Sequence, residues 1–208
     1  MTSIRLIVGL GNPSPDYDHT RHNVGALWVR EFARRYAIPL APDSKFKGEV
    51  GRASVVSQDV RVLVPATYMN ASGEAVGALS RFYKIEPQAI LVAYDEMAFE
   101  PGLLRLKRGG GDNGHNGLKS IRSSLGNNGE FNRLRIGVGH PGDKNKVTAY
   151  LTQHKMPAAE RQAMEQAWHL SDALVGSILQ GDWQTAMTAL HTDNKIEKAI
   201  PDNPDKGA

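Results

Sequence analysis

The sequence predicts an α/β protein: a single domain built on one mixed β-sheet, with helices on both faces. Three observations carry this expectation. Short apolar runs alternate with amphipathic stretches along most of the chain. Two neighbouring runs, GEVGRASVVS and VRVLVP, are separated only by Gln58-Asp59 and read as an antiparallel hairpin. Other runs are separated by whole helical patterns, which call for crossovers between parallel strands. Hairpin and crossover connections together make the sheet mixed.

The first strand is expected at 4–9, where Ile4, Leu6, Ile7 and Val8 run up to a break at Gly9, Gly11 and Pro13. A helix over 22–36 follows, with Val24, Leu27, Trp28, Val29 and Phe32 at helical spacing and Thr20 placed to cap it. The hairpin supplies strands at 49–57 and 60–65. A helix over 71–84 puts Ala71, Ala75, Val76, Leu79 and Phe82 on one face, with Asn70 at its N-cap. Strands at 89–94 and 103–107, a helix at 116–125 and a strand at 133–139 come next. Pro157 stands where a first-turn proline opens a long helix over 157–180. Its Met164, Ala167, Trp168, Leu174 and Ile178 form a core-facing stripe, and a last helix spans 182–191. No repeat and no linker divides residues 1–193, which read as one domain. Residues 194–208 include IPDNPDKGA and read as a polar, flexible tail.

At 208 residues the chain is long enough for one substantial core and short for two. Its 40% hydrophobic and 23% charged residues suit a soluble globular protein. The lack of cysteine excludes disulfides, thiolate zinc sites and a catalytic thiol, and is compatible with a reducing compartment. No apolar run approaches the ~20 residues that span a bilayer. The opening MTSIRLIVG passes from a single charge straight into a strand, unlike a signal peptide, so a cytoplasmic location is expected. The net charge of +3 is unevenly spread. Ten Lys or Arg against three acids give Leu103–Lys155 a charge of +7, leaving −4 for the remainder. Such asymmetry predicts an electropositive face and a polyanionic partner; the plainer alternative is lysines scattered over the surface.

The stretch IRLIVGLGNPSPDYDHTRHN carries Asn12, Tyr17 and His22 on a loop after a strand, where α/β proteins usually place their chemistry. Imidazole trades protons near neutral pH, so His22 is the natural acid–base candidate; otherwise it is a first-turn helix residue. Asp95 ends the strand run ILVAYDE and could fix a histidine tautomer and stabilise its imidazolium; otherwise it is a surface acid in a turn. Asn12 could equally be a turn residue beside Pro13. The run GGGDNGHNGL contains G-x-G-x-x-G, but the following strand RLRIGVG ends without the acid that would hold a ribose hydroxyl. A Walker loop and a G-x-S-x-G elbow are both absent. A glycine loop offering backbone amides and the Asn116 side chain to a substrate is the better reading. His115, His140 and His191 lack mutual metal-ligand spacing, and no metal is assigned to them.

Taken in order, GLGNP…Y…TRHNVG, P-x-T-Y-M-N-x-S-G, GGG-x-x-GHNGLKSI and FNRLRIGVGHPGDKNKV resemble bacterial peptidyl-tRNA hydrolase, from about residue 4 to about residue 190. The resemblance implies a monomeric α/β enzyme with a mixed sheet and no cofactor. It implies cleavage of the ester joining a peptide to the terminal ribose of tRNA, recycling tRNA from prematurely released peptidyl-tRNA. On matching positions, His22 would be the general base and Asp95 the acid that stabilises it. Asn12 would recognise the blocked peptide amide, and Asn70 and Asn116 would hold substrate and attacking water. Tyr17 and Tyr68 would line the cleft for the tRNA terminus, and Lys107, Arg135 and Lys144 would grip its phosphates. Two departures are visible: Ser14 stands where glycine usually follows Asn-Pro, and Ala98 where a second acid often stands. The first is a turn adjustment; the second puts a role for a second acid in doubt.

An ester is electrophilic enough that activated water suffices without a metal. A non-catalytic RNA-binding module and a dinucleotide-dependent enzyme are the rival expectations. The discriminating observation between catalyst and binder is whether Asp95 lies within hydrogen-bond reach of His22.

Overall fold

In the computed structural model, which describes residues 1–192, the innermost strand β1 (Leu6–Gly9) has a parallel partner on each side. These are β4 (Gln58–Pro65) and β5 (Ile90–Glu96), with Leu6 opposite Arg61 and Ile90. Strand β7 (Asn132–Gly137) adds parallel to β5. Antiparallel strands finish both edges: β3 (Gly48–Val55) then β2 (Ala41–Asp43) beyond β4, and β6 (Leu104–Arg108) beyond β7. The order β2-β3-β4-β1-β5-β7-β6 is the expected mixed α/β sheet. Its four parallel strands are largely buried because helices cover both faces. The polar tail expected at 194–208 lies outside the described residues.

Side chains alternate across the sheet and feed two cores. Ile7, Val62 and Leu91 pack with α1 (Val24–Arg35), α5 (Ala158–Ala167), α6 (Asp172–Gln180) and α7 (Trp183–Thr192). Leu6, Val8 and Leu63 pack on the other face with α2 (Ser72–Tyr83) and α3 (Asn116–Ser124). The carboxyl ends of β4, β1, β5 and β7 lie along one edge of the sheet, where the chain leaves into polar loops. Gly25 lets α1 start hard against that edge: a Cβ there would lie 2.2 Å from the Ala93 carbonyl oxygen.

Several expectations need correction. The helix expected over 157–180 is two helices. Ser171 adopts an extended backbone and accepts from the Leu174 amide, and with Asp172 in the first turn it opens α6 afresh. Met164, Trp168, Leu174 and Ile178 are buried as expected, but from either side of this break. Pro157 precedes the first helical residue instead of occupying it. The helix expected from 71 begins at Ser72, after a 3-10 turn over Met69–Ala71 that holds Asn70, so Asn70 is no N-cap. Phe82 is 54% exposed, with the Lys45 ammonium 3.2 Å from its ring centroid. Strand β2 and helix α4 (Val147–Thr152) were not expected; with three and six residues they are too short to show a period.

Candidate active site

The loop after β1 is fastened down at several points. Leu10 donates to the Ala93 carbonyl and accepts from the Ala26 amide. The Asn23 side chain, 4% exposed, accepts from the Asn12 amide at 2.8 Å and donates to the Asn12 carbonyl at 3.0 Å. Asn12 in turn accepts from the Met69 amide through Oδ1 at 2.8 Å, tying this loop to the turn that bears Asn70. Thr20 is fully buried, and its hydroxyl donates to the Tyr17 carbonyl, so it makes no side-chain cap. Ser14 stands at the start of the turn Pro15–Tyr17 and accepts from the Asp16 amide.

His22 sits on a 3-10 turn (Arg21–Asn23) just ahead of α1. Its Nδ1 lies 2.9 Å from Asp95 Oδ1 and 3.0 Å from Oδ2. Asp95 ends the apolar run of β5 and is 4% exposed. With Nδ1 donating to the carboxylate, the Nε2 lone pair is left without a partner among the described residues. Burial alone would depress the basicity of His22, but the charge and hydrogen bonds of Asp95 outweigh it and hold the imidazole above its ordinary 6.5. Burial would likewise raise Asp95. The imidazoles of His22 and His115 overcome that and keep the carboxylate far below the usual range.

His115 was not expected here. Its Nε2 lies 2.9 Å from the same Asp95 Oδ1, and its ring centroid 5.0 Å from that of His22. The sequence hid it because its partner is 20 residues away across a glycine loop; the available signal was a polar residue at the start of α3. The ligand atoms of His22, Asp95 and His115 fall within 4.8 Å of one another, close enough to surround a metal ion. The hydrogen bonds weigh against that use. His115 Nδ1 accepts from the Gly117 and Leu118 amides at 3.1 and 3.4 Å, so Nε2 carries the ring proton and has no lone pair to offer.

Asn116 is exposed and next to His115, and Asn70 is exposed and next to Met69. A Cβ on Gly117 would meet Met69 Sδ at 2.6 Å, so the turn bearing Asn70 packs directly on the start of α3. Tyr68 is 57% exposed, Tyr17 half-buried. On the side beyond β5, Lys144 is exposed and Lys107 is half-buried. Arg135 is less free than expected: it bonds Glu96 Oε2 at 2.9 and 3.1 Å and lies over the Phe99 ring. Arg133, counted in the basic segment, is 1% exposed and donates to the Gly110 and Gly111 carbonyls. It shapes the glycine loop and adds nothing to a phosphate-binding face. A further clamp holds the His22 turn: Arg21 pairs with Glu160 of α5 at 2.7 Å and stacks on Tyr150 of α4.

Comparison with known proteins agrees with these motifs. The family model for peptidyl-tRNA hydrolase matches residues 6–199. A peptidyl-tRNA hydrolase of Saccharophagus degradans is 51% identical over 191 residues, 92% of this chain and 96% of that protein. One from Pseudomonas aeruginosa is 47% identical over 92% of this chain and 98% of its own length. The crystal structure of peptidyl-tRNA hydrolase from Acinetobacter baumannii superposes with a TM-score of 0.85 at 45% identity, covering 91% of this chain and 96% of that one.

Proposed function

The chain belongs to the peptidyl-tRNA hydrolase family and is an enzyme, and on that premise we propose that it hydrolyses the ester between a peptide and the terminal ribose of tRNA with a water activated by His22. The observation that supports this most directly is the pairing of His22 Nδ1 with buried Asp95, which leaves Nε2 as the base. Nε2 takes a proton from water as the oxygen attacks the acyl carbon. Asp95 steadies the imidazolium that forms, and the asparagine amides donate to the developing oxyanion. The bond to the ribose oxygen then breaks, and His22 returns its proton to that oxygen. The chemistry uses no metal.

In this reading Asn12 binds the blocked amide of the peptide. Its side-chain Oδ1 already accepts from the Met69 amide, which leaves Nδ2 to donate to an acyl carbonyl. Asn70 and Asn116 hold the substrate and the water, and Tyr17 and Tyr68 line the path of the tRNA terminus. Lys107, Arg135 and Lys144 face tRNA phosphate, Arg135 by exchanging its bond with Glu96. The domain acts as a cytoplasmic monomer. The test is release of an N-acetylated amino acid from its tRNA by purified protein. Release by wild type and its loss in His22→Ala would support the reading; no release by wild type would refute it.

A further inference from the structure

His115 takes no part in the proton transfers above, yet its ring is fixed at both ends. Nδ1 accepts from two backbone amides at the start of α3 and so carries no proton. Nε2 therefore donates to Asp95 Oδ1, at the same 2.9 Å as His22 Nδ1. The ring cannot become imidazolium without giving up both amide bonds. It is also confined sideways, with Tyr94 meeting it edge-on at 5.1 Å between centroids. A carboxylate stabilised by one donor attracts the proton of a second donor less strongly. A carboxylate serving His22 alone would favour imidazolium too well, and a protonated His22 is no base.

We propose that His115 is a neutral positioning residue, which holds Asp95 against His22 and, by sharing Oδ1, limits how firmly the carboxylate keeps a proton on His22. The proposal rests on His22 acting as the base. The other titratable and charged groups on the elements packed around His22 are engaged with one another. Arg21, its neighbour on the turn, is paired with Glu160 of α5 and stacked on Tyr150 of α4. From β5 come Asp95 itself, Tyr94 against the far ring, and Glu96 bound to Arg135. From α3 comes His115.

His115→Asn separates the two jobs of the ring. Asparagine serves well as an N-cap acceptor for α3 but is too short to reach Asp95. The His22 ring is titrated by NMR in both folded proteins, which needs no substrate. The expected result is a His22 midpoint raised by roughly half to one pH unit in the variant, a threefold to tenfold change in the protonation equilibrium. The acid limb of kcat/KM for N-acetylated aminoacyl-tRNA should move by the same amount. His115→Gln, whose amide reaches as far as Nε2, should bring the midpoint part of the way back. A midpoint unchanged or lowered in folded His115→Asn would overturn the proposal, because a residue that merely caps α3 gives that result. Ring nitrogen shifts of the wild type provide a check independent of the variant's folding. With His22 neutral, they should show the His115 proton on Nε2 and a lone pair on Nδ1, and a proton on Nδ1 instead would overturn the proposal. Absence of any wild-type hydrolysis would instead refute the general-base reading, whatever the titrations gave.

Discussion

His22 and Asp95 each shift the other's protonation, and pH is therefore the variable that tests the pair. His22→Ala should fold normally and lose on the order of 10²–10⁴ in rate, as measured by release of N-acetylated amino acid. Asp95→Asn tests the second half of the pair. The carboxylate raises His22 against the opposing effect of burial, so an amide leaves burial to depress the imidazole. If His22 is the base, it must be neutral to act, and the acid limb of the rate profile should shift to lower pH. The plateau should fall by on the order of 10², since the imidazolium of the transition state loses its counter-charge. An unshifted profile would make Asp95 purely structural. The pair also ties stability to pH. A raised His22 stabilises the fold fully below its unfolded value of 6.5, and that contribution fades as pH rises through the folded value. A depressed Asp95 contributes above its unfolded value of 3.8 and loses that contribution as pH falls toward its folded value. Asp95→Asn should therefore cost most stability in mildly acidic solution, as followed by thermal melts across pH.

At the scale of elements, the site is held by straps that join distant parts of the chain. Arg21 makes a two-pronged bond to Glu160 with both side chains largely buried, and its guanidinium lies 4.1 Å from the Tyr150 ring centroid. Arg21→Ala should cost about 1–3 kcal/mol in a denaturation experiment, by stranding the Glu160 carboxylate. It should also lower kcat through the adjoining His22; an unchanged kcat would show that the turn keeps its place unaided. Elements of this kind mark the limit of what the sequence reveals. Strands β1 and β5 were legible because burial on both faces makes them nearly continuous apolar runs. His22, Asp95 and Asn12 were legible as candidates because they lie at the end of an apolar strand run or in the loop after one. His115, Asn23 and Arg21 were not, because each acts on a partner that only folding brings near. Arg133 looked like surface charge, and nothing local distinguishes an arginine that binds phosphate from one that holds a loop's carbonyls. The break at Ser171 was written in its capping chemistry but masked by an unbroken apolar stripe.

Across the whole molecule, the order of strands sorts the proposed tasks. Asn12 follows β1, Asp95 lies next to the last residue of β5, and the cations proposed to meet phosphate lie on β7, β6 and the segment beyond. Attraction to phosphate is long-ranged and releases counterions, so it weakens with salt, whereas the cleavage proposed at the buried pair should not depend on it. Lys144→Ala should raise KM for full tRNA substrates and flatten the salt dependence of binding. It should leave an acylated short oligonucleotide nearly unaffected. Equal damage to both substrates with an unaltered salt slope would place Lys144 in the reaction centre or the fold. The loop after β1 has a different consequence. Its backbone is bonded to Ala93 in the middle of the sheet and to Ala26 in α1, and Asn23 pins it again. A segment stitched into the core in this way opens only when the core opens. Heat should therefore abolish turnover and melt the sheet at one temperature. The amides of Leu10 and Ala26 should exchange with deuterium as slowly as those of β5, making the loop after β1 among the last parts of the protein to come apart.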